Sequence, residues 1–122
     1  MRFDLHVHSN NSGDAKNRVE DVLDACVRKG LSGVAIMDHN TMEGYRQAMS
    51  LGRDDILVIP GMEISTANGH ILAYNLVEEV PRELEVAETI DLIRAQGGIA
   101  VAAHPYRMWS GLGEDAIIAN DF

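Results

Sequence analysis

The feature that most restricts this chain is where its five histidines fall: each borders a short apolar run, and none lies inside a helical pattern. His6 and His8 close Phe3-Asp4-Leu5-His6-Val7-His8, whose period-two alternation predicts a strand. His39 follows the continuous apolar run Gly33–Asp38, the pattern of a buried parallel strand. His70 opens the run to Leu76, and His104 follows Ile99–Ala103, read as another buried strand. Between these runs the periodicity changes. Val19, Val22, Leu23, Cys26 and Val27 recur at helical spacing, with Asn17 and Glu20 as a capping-box pair and Gly30 as the stop. Thr41–Gly52 predicts a second helix, capped by Asn40 or Thr41. Val86, Ile90 and Ile93 mark a third, closed by Gly97-Gly98, and Glu114–Asn120 a fourth. Pro60-Gly61 interrupts the third strand between Ile56–Ile59 and Glu63–Ser65, and Asn68-Gly69 predicts a turn before His70.

The resulting order, β-α-β-α-β-(β)-α-β-α, implies an α/β fold with a mostly parallel sheet and helices outside it. In such folds ligands gather at the carboxyl ends of the strands, so His6, His8, His39 and His104 are expected at one rim. A closed α/β barrel needs roughly 250 residues. The 122 residues therefore match half of one, with an open sheet of four or five strands as the rival architecture. A net charge of −9 with no Lys/Arg cluster argues against a duplex nucleic-acid partner held through its phosphates. The single cysteine, Cys26, excludes an internal disulfide and lies on a helical apolar stripe, where an inert buried thiol is expected. Met1-Arg2-Phe3-Asp4 lacks the apolar segment of a signal peptide and no run is long enough to span a bilayer, so a cytoplasmic protein without membrane contact is the expectation.

The chemistry follows from spacing. His6 and His8, two residues apart on a strand, present imidazoles on one face and can bind a common metal ion, with Val7 opposite. Asp4 has the same spacing and is a candidate acceptor for one of those rings. Taken alone, such a pair also suits a half-exposed strand, and Asp4 a solvated acid. Glu63 lies just past Pro60-Gly61-Met62, where the backbone turns abruptly; a carboxylate there can bridge two cations or simply face solvent. Arg107, after His104-Pro105-Tyr106, offers a fork of donors for a phosphate or is a surface arginine. Asp14 by itself reads as a loop acid. Ser9, Ser12, Ser65 and Ser110 lack a nucleophile-elbow setting, and no glycine-rich phosphate loop is present.

Asp4-Leu5-His6-Val7-His8-Ser9, Asp38-His39-Asn40, Pro60-Gly61-Met62-Glu63-Ile64-Ser65, Gly69-His70-Ile71-Leu72 and His104-Pro105-Tyr106-Arg107 together resemble, in order, the motifs of the polymerase-and-histidinol-phosphatase (PHP) family. The resemblance implies a distorted seven-stranded α/β barrel, of which residues 1–122 would be the N-terminal part, and a cluster of up to three manganese, zinc or iron ions. It places His6 and His8 on a first ion, Glu63 bridging to a second held also by His70 and His104, and Asp14 with His39 on a third. Arg107 would bind the substrate phosphate, and His39 would serve as the second catalytic group. The implied activity is metal-assisted hydrolysis of a phosphate ester of a small metabolite or a nucleotide. An amidohydrolase-like enzyme and a non-catalytic metal-binding domain are the alternatives. The family's late Asp-x-His motif does not occur before Phe122, so a fragment with very low activity of its own is the expectation.

Overall fold

A computed structural model describes residues 1–122. The parallel strands β1 (Phe3–Val7), β2 (Gly33–Ile36) and β3 (Leu57–Ile59) form one sheet in the order β1-β2-β3. Strands β4 (Gly61–Ser65), β5 (His70–Tyr74) and β6 (Ile99–Ala102) form a second. Helices α1 (Val19–Arg28), α2 (Glu43–Ser50), α3 (Val86–Ala95) and α4 (Gly113–Ala119) fill the connections. No helix is long and apolar enough to cross a membrane.

Pro60 separates β3 from β4, as its missing N–H requires, but the chain keeps its direction. Glu63 N–H donates to Asp38 O at 3.1 Å and Asn40 N–H to Glu63 O at 2.9 Å, a parallel bridge joining the exit of β2 to β4. The expectation of a mostly parallel sheet needs correction here, because both pairings of the second sheet, β4 with β5 and β5 with β6, are antiparallel. The tight turn Thr66–Gly69 allows only a hairpin, since a parallel return needs a crossover of a dozen or more residues. Reversal of β5 alone leaves β6 parallel to β4. It also brings the first residue of β5, His70, to the rim where the other strands end.

Strand β2 is buried throughout, which explains its lack of alternation. Val34 and Ile36 pack beneath α1 and α2, while Ala35 and Met37 meet Leu72 and Ala103 on the opposite face. Helix α1 buries Val19, Val22, Leu23 and Cys26, and complete burial of a side chain such as Leu23 contributes about 1.5–3 kcal/mol. Gly30, at φ +72°, ends α1 with Leu31 N–H on Cys26 O and Gly30 N–H on Val27 O, the paired bonds expected of a glycine stop. The capping box does not form. Arg18 precedes the first turn without a side-chain cap, and the Asn17 carbonyl instead accepts from Asn10 N–H at 2.7 Å, closing the loop after β1.

Two further expectations are corrected. A register shift between Asp4 and Val7 turns β1, so Asp4 and Val7 both face α1 and only His6 and His8 reach the rim. Strand β6 is covered on one side only: Ala100 is buried against α3 while Ile99 and Val101 are exposed. Phe3, Leu57, Ile99 and Val101 are exposed on the sheet face away from the helices.

Gly44, in the first turn of α2, lets that helix lie against the end of β2. A β-carbon there would land on Asp38 Oδ2 and come within 2.8 Å of Ile36 Cγ2. In an exposed helix glycine to alanine gains about 1 kcal/mol. At this position the sign reverses, and Gly44→Ala is expected to lower stability by roughly 1–3 kcal/mol, read as a lower urea midpoint at unchanged slope.

Candidate metal centre

Seven side chains expected at the site meet in one cleft of about 410 Å³: His6, His8, Asp14, His39, Glu63, His70 and His104, joined by Arg107 and Ser110. No hydrophobic residue lines it. Its members come from separate segments of the chain. His6 and His8 come from the turned end of β1, Asp14 from the loop before α1, His39 from the exit of β2, His70 from the start of β5 and His104 from the end of β6.

Glu63 is the hub. Its side chain is 1% exposed, and its two oxygens serve different neighbours. Oε2 lies 3.1 Å from His6 Nε2, 3.0 Å from His8 Nε2 and 3.6 Å from His39 Nδ1. Oε1 lies 3.1 Å from His70 Nδ1 and 2.8 Å from His104 Nε2. Beyond this ring, His39 Nε2 meets Asp14 Oδ2 at 3.0 Å. Burial opposes ionisation of Glu63, but hydrogen bonds from His6, His8 and His104 outweigh it and hold the carboxyl far below its usual range. The same bond to Glu63 raises the His8 pKa above 6.5 against the cost of burial, helped by Asp14 and Asp38. His70 shifts down, because burial outweighs its attraction to Glu63. Asp14 is lowered by its pairing with His39 despite some desolvation.

Three compact groups of donor atoms, each within 4.8 Å, can hold a cation: His6, His8 and Glu63; His8, Asp14 and His39; and His39, Glu63 and His70. The first has the expected membership. The second adds His8 to the expected pair. In the third, His39 takes the place expected for His104, although His104 keeps the shortest contact to Glu63. This donor set of imidazole nitrogens and carboxylates around one buried carboxylate suits zinc, manganese or iron. His104 Nδ1, buried without a partner, and the strained His104 backbone at φ +27° sit at the same place.

Asp4 does not touch a histidine ring; its Oδ1 accepts only the His6 backbone N–H, at 3.2 Å. The support comes from residues that spacing alone did not reveal. Asp38, fully buried, accepts from Ser9 N–H and Ser9 Oγ, both at 2.6 Å, and from Ser12 Oγ at 3.0 Å. Asn40 clamps Ser65, accepting its N–H at 2.9 Å, and so fastens the β2 exit to β4. Gly111 lets the turn after His104 close, since a β-carbon there would lie 2.7 Å from the carbonyls of His104 and Arg107. The signal for Asp38 was available: a carboxylate ending a wholly apolar strand must find donors.

Residues 4–107 match the PHP domain. An uncharacterized protein of Methanocaldococcus jannaschii is 37% identical over 117 residues, covering 87% of this chain and 68% of its own length. Phosphoribosyl 1,2-cyclic phosphate 1,2-diphosphodiesterase of Eggerthella lenta is 34% identical over 88 residues, covering 66% of this chain and 33% of its own. Among solved structures, a two-domain Bacteroides vulgatus protein containing a predicted PHP-like metal-dependent phosphoesterase superposes with a TM-score of 0.76 at 22% identity, covering 87% of this chain and 35% of that one.

The raised His8 pKa predicts a pH dependence for the metal-free chain. An imidazolium bound more tightly in the folded state adds stability that is complete below the ordinary value of 6.5 and is lost as pH rises through the raised folded value. His70, shifted downward, works in the opposite sense. Denaturation of wild type and His8→Gln on both sides of neutrality isolates the His8 part: the gap between them is expected to narrow as pH rises, and a gap that widens would contradict the assignment.

Proposed function

This chain belongs to the PHP domain family, and we propose that it is the metal-binding portion of a hydrolase cleaving phosphate esters of small metabolites or nucleotides. The observation that carries the proposal is Glu63, whose two buried oxygens each face histidines from separate strands in a cleft that also contains Arg107. In this reading His6, His8 and Glu63 hold one ion, and Glu63, His70 and His104 hold a second, with His39 grouped with Glu63 and His70 closely enough to share it. Asp14 and His39, with His8, provide for a third. This chain spans 68% of the length of the Methanocaldococcus jannaschii relative and 33% of the Eggerthella lenta one. The activity proposed is that of the whole protein. The exposed face carrying Phe3, Leu57, Ile99 and Val101 is where the remaining strands of a barrel would pack.

Bound divalent ions would lower the pKa of water to near neutrality and offset charge on the phosphate oxygens. The protein's own groups do the rest. Arg107 is exposed at the cleft with no carboxylate partner, so its planar fork is free to take two oxygens of a phosphate and orient the ester. Asp14 Oδ2, 3.0 Å from His39 Nε2, orients that ring at the cleft, where His39 is the side chain placed to pass a proton to the leaving oxygen. The apolar layer of Ala35, Met37, Leu72 and Ala103 excludes water from beneath the site.

Hydrolysis of an aryl phosphate and of a nucleoside monophosphate tests the proposal. Activity is expected to vanish on chelation and to return with added manganese. Arg107→Ala is expected to lower kcat/KM about 10²–10³-fold, as loss of a donor to developing charge does. Undiminished turnover by the fully metal-stripped protein would refute the reading.

A further inference from the structure

We propose that Asp4 and Tyr74 clamp the Leu5–His6 peptide from its two ends and are the positioning residues that aim His6 at Glu63. The functional meaning of that aim rests on the metal-centre reading, while the clamp itself consists of two hydrogen bonds that need no metal.

Strand β1 lies at the edge of its sheet, paired with β2 alone. That pairing lapses after Asp4 and Val34 and resumes at Val7 and Ile36, so Leu5 and His6 have no opposite residue on β2. An irregularity of this kind disrupts the ladder and re-aims the side chains beside it. Here both polar groups of the peptide between Leu5 and His6 are met by side chains. The Leu5 carbonyl can only accept, and the Tyr74 hydroxyl donates to it at 2.8 Å. The His6 N–H can only donate, and Asp4 Oδ1 accepts it at 3.2 Å. Neither assignment depends on a tautomer. The carbonyl and N–H of a planar trans peptide point in opposite directions, so two such bonds fix the rotation of the whole unit.

Tyr74 reaches β1 from a firm base. It lies on β5 opposite Gly61 of β4 and Ile99 of β6, and its half-buried ring packs against the layer of Ala35, Met37, Leu72 and Ala103. A phenol has only two side-chain torsions, so holding its hydroxyl in place sacrifices little entropy. The same bond ties the edge strand of the first sheet to the middle strand of the second. Asp4 reaches forward along its own strand from the side that faces α1. What the clamp aims is the imidazole of His6, whose Nε2 is 3.1 Å from Glu63 Oε2 and 3.1 Å from His8 Nε2. Rotation of the Leu5–His6 peptide changes φ of His6 and with it the direction of the Cα–Cβ bond. A freed peptide would spread the ring over several directions and loosen the group of His6, His8 and Glu63.

The clamp is tested first on the whole chain without metal. Tyr74→Phe removes one hydroxyl and keeps the ring. The ¹⁵N–¹H signal of the His6 amide is expected to shift and its hydrogen exchange to quicken about 3–10-fold, with the amides of Leu23 in α1 and Val58 in β3 unmoved. An unchanged His6 amide would overturn the proposal. Zinc titration of wild type, Tyr74→Phe, Asp4→Ala and the double variant then reads the consequence. Each single variant is expected to bind about 3–10-fold more weakly, and the double variant little worse than the weaker single, because both bonds hold one peptide. Losses that multiply in the double variant belong to independent sites and would contradict the clamp. Asp4→Asn keeps an acceptor and is expected to recover most of the affinity; a loss as large as that of Asp4→Ala would also count against it. If wild type binds no zinc, manganese or iron, the metal-centre reading fails instead, and the His6 amide still decides the clamp.

Discussion

The structure depends on keeping a carboxylate ionised at a buried position. Glu63 sits on β4 with almost no exposure, beyond the reach of bulk water, and stays charged because histidines from four places in the chain surround it. Removing such a charge from water costs several kcal/mol unless the partners are well placed. The placing falls to the backbone. The bridge between Asp38, Asn40 and Glu63 locks β4 to the exit of β2. The reversal of β5 supplies His70 on one side, and the turn closed at Gly111 holds His104 on another. The two sheets are therefore joined at the point where the chemistry is concentrated.

A second buried carboxylate supports the first. Asp38 ends a strand of Gly, Val, Ala and Ile and is satisfied by Ser9 and Ser12. Its partners are the residues that follow His8, so the loop after β1 and the end of β2 are one polar unit beneath the histidines. The arrangement puts the two buried carboxylates into two layers. Glu63 faces the cleft, and Asp38 orients what surrounds it. The apolar packing of Ala35 and Met37 against Leu72 and Ala103 then keeps both away from water.

Much of this was legible from residue order. The helix from Val19, the glycine stop at Gly30, the break at Pro60-Gly61 and the turn at Asn68-Gly69 all appear as their local chemistry requires. Seven expected site residues and Arg107 do meet. What was not legible depends on neighbours that periodicity does not encode. Asp4 has the spacing of His6 but a register shift against β2 moves it to the other face. Asn17 and Glu20 have the spacing of a capping box, but the Asn17 carbonyl closes a different loop. Ser12 lacks any nucleophile setting, and its hydroxyl is instead tied to Asp38, 26 residues away in the chain.

The sequence alone determined which residue types reach strand ends, because apolar runs must be buried and polar residues must stop at their borders. It thereby determined that histidines and carboxylates would collect at an edge of an α/β sheet. Only the tertiary structure decided their grouping. The direction of β5, the turn in β1 and the bridge to β4 set which nitrogen faces which oxygen of Glu63, and those depend on pairings between segments far apart in the chain. The five histidines are therefore one feature in the sequence and, in space, overlapping groups divided between the two oxygens of a single buried carboxylate.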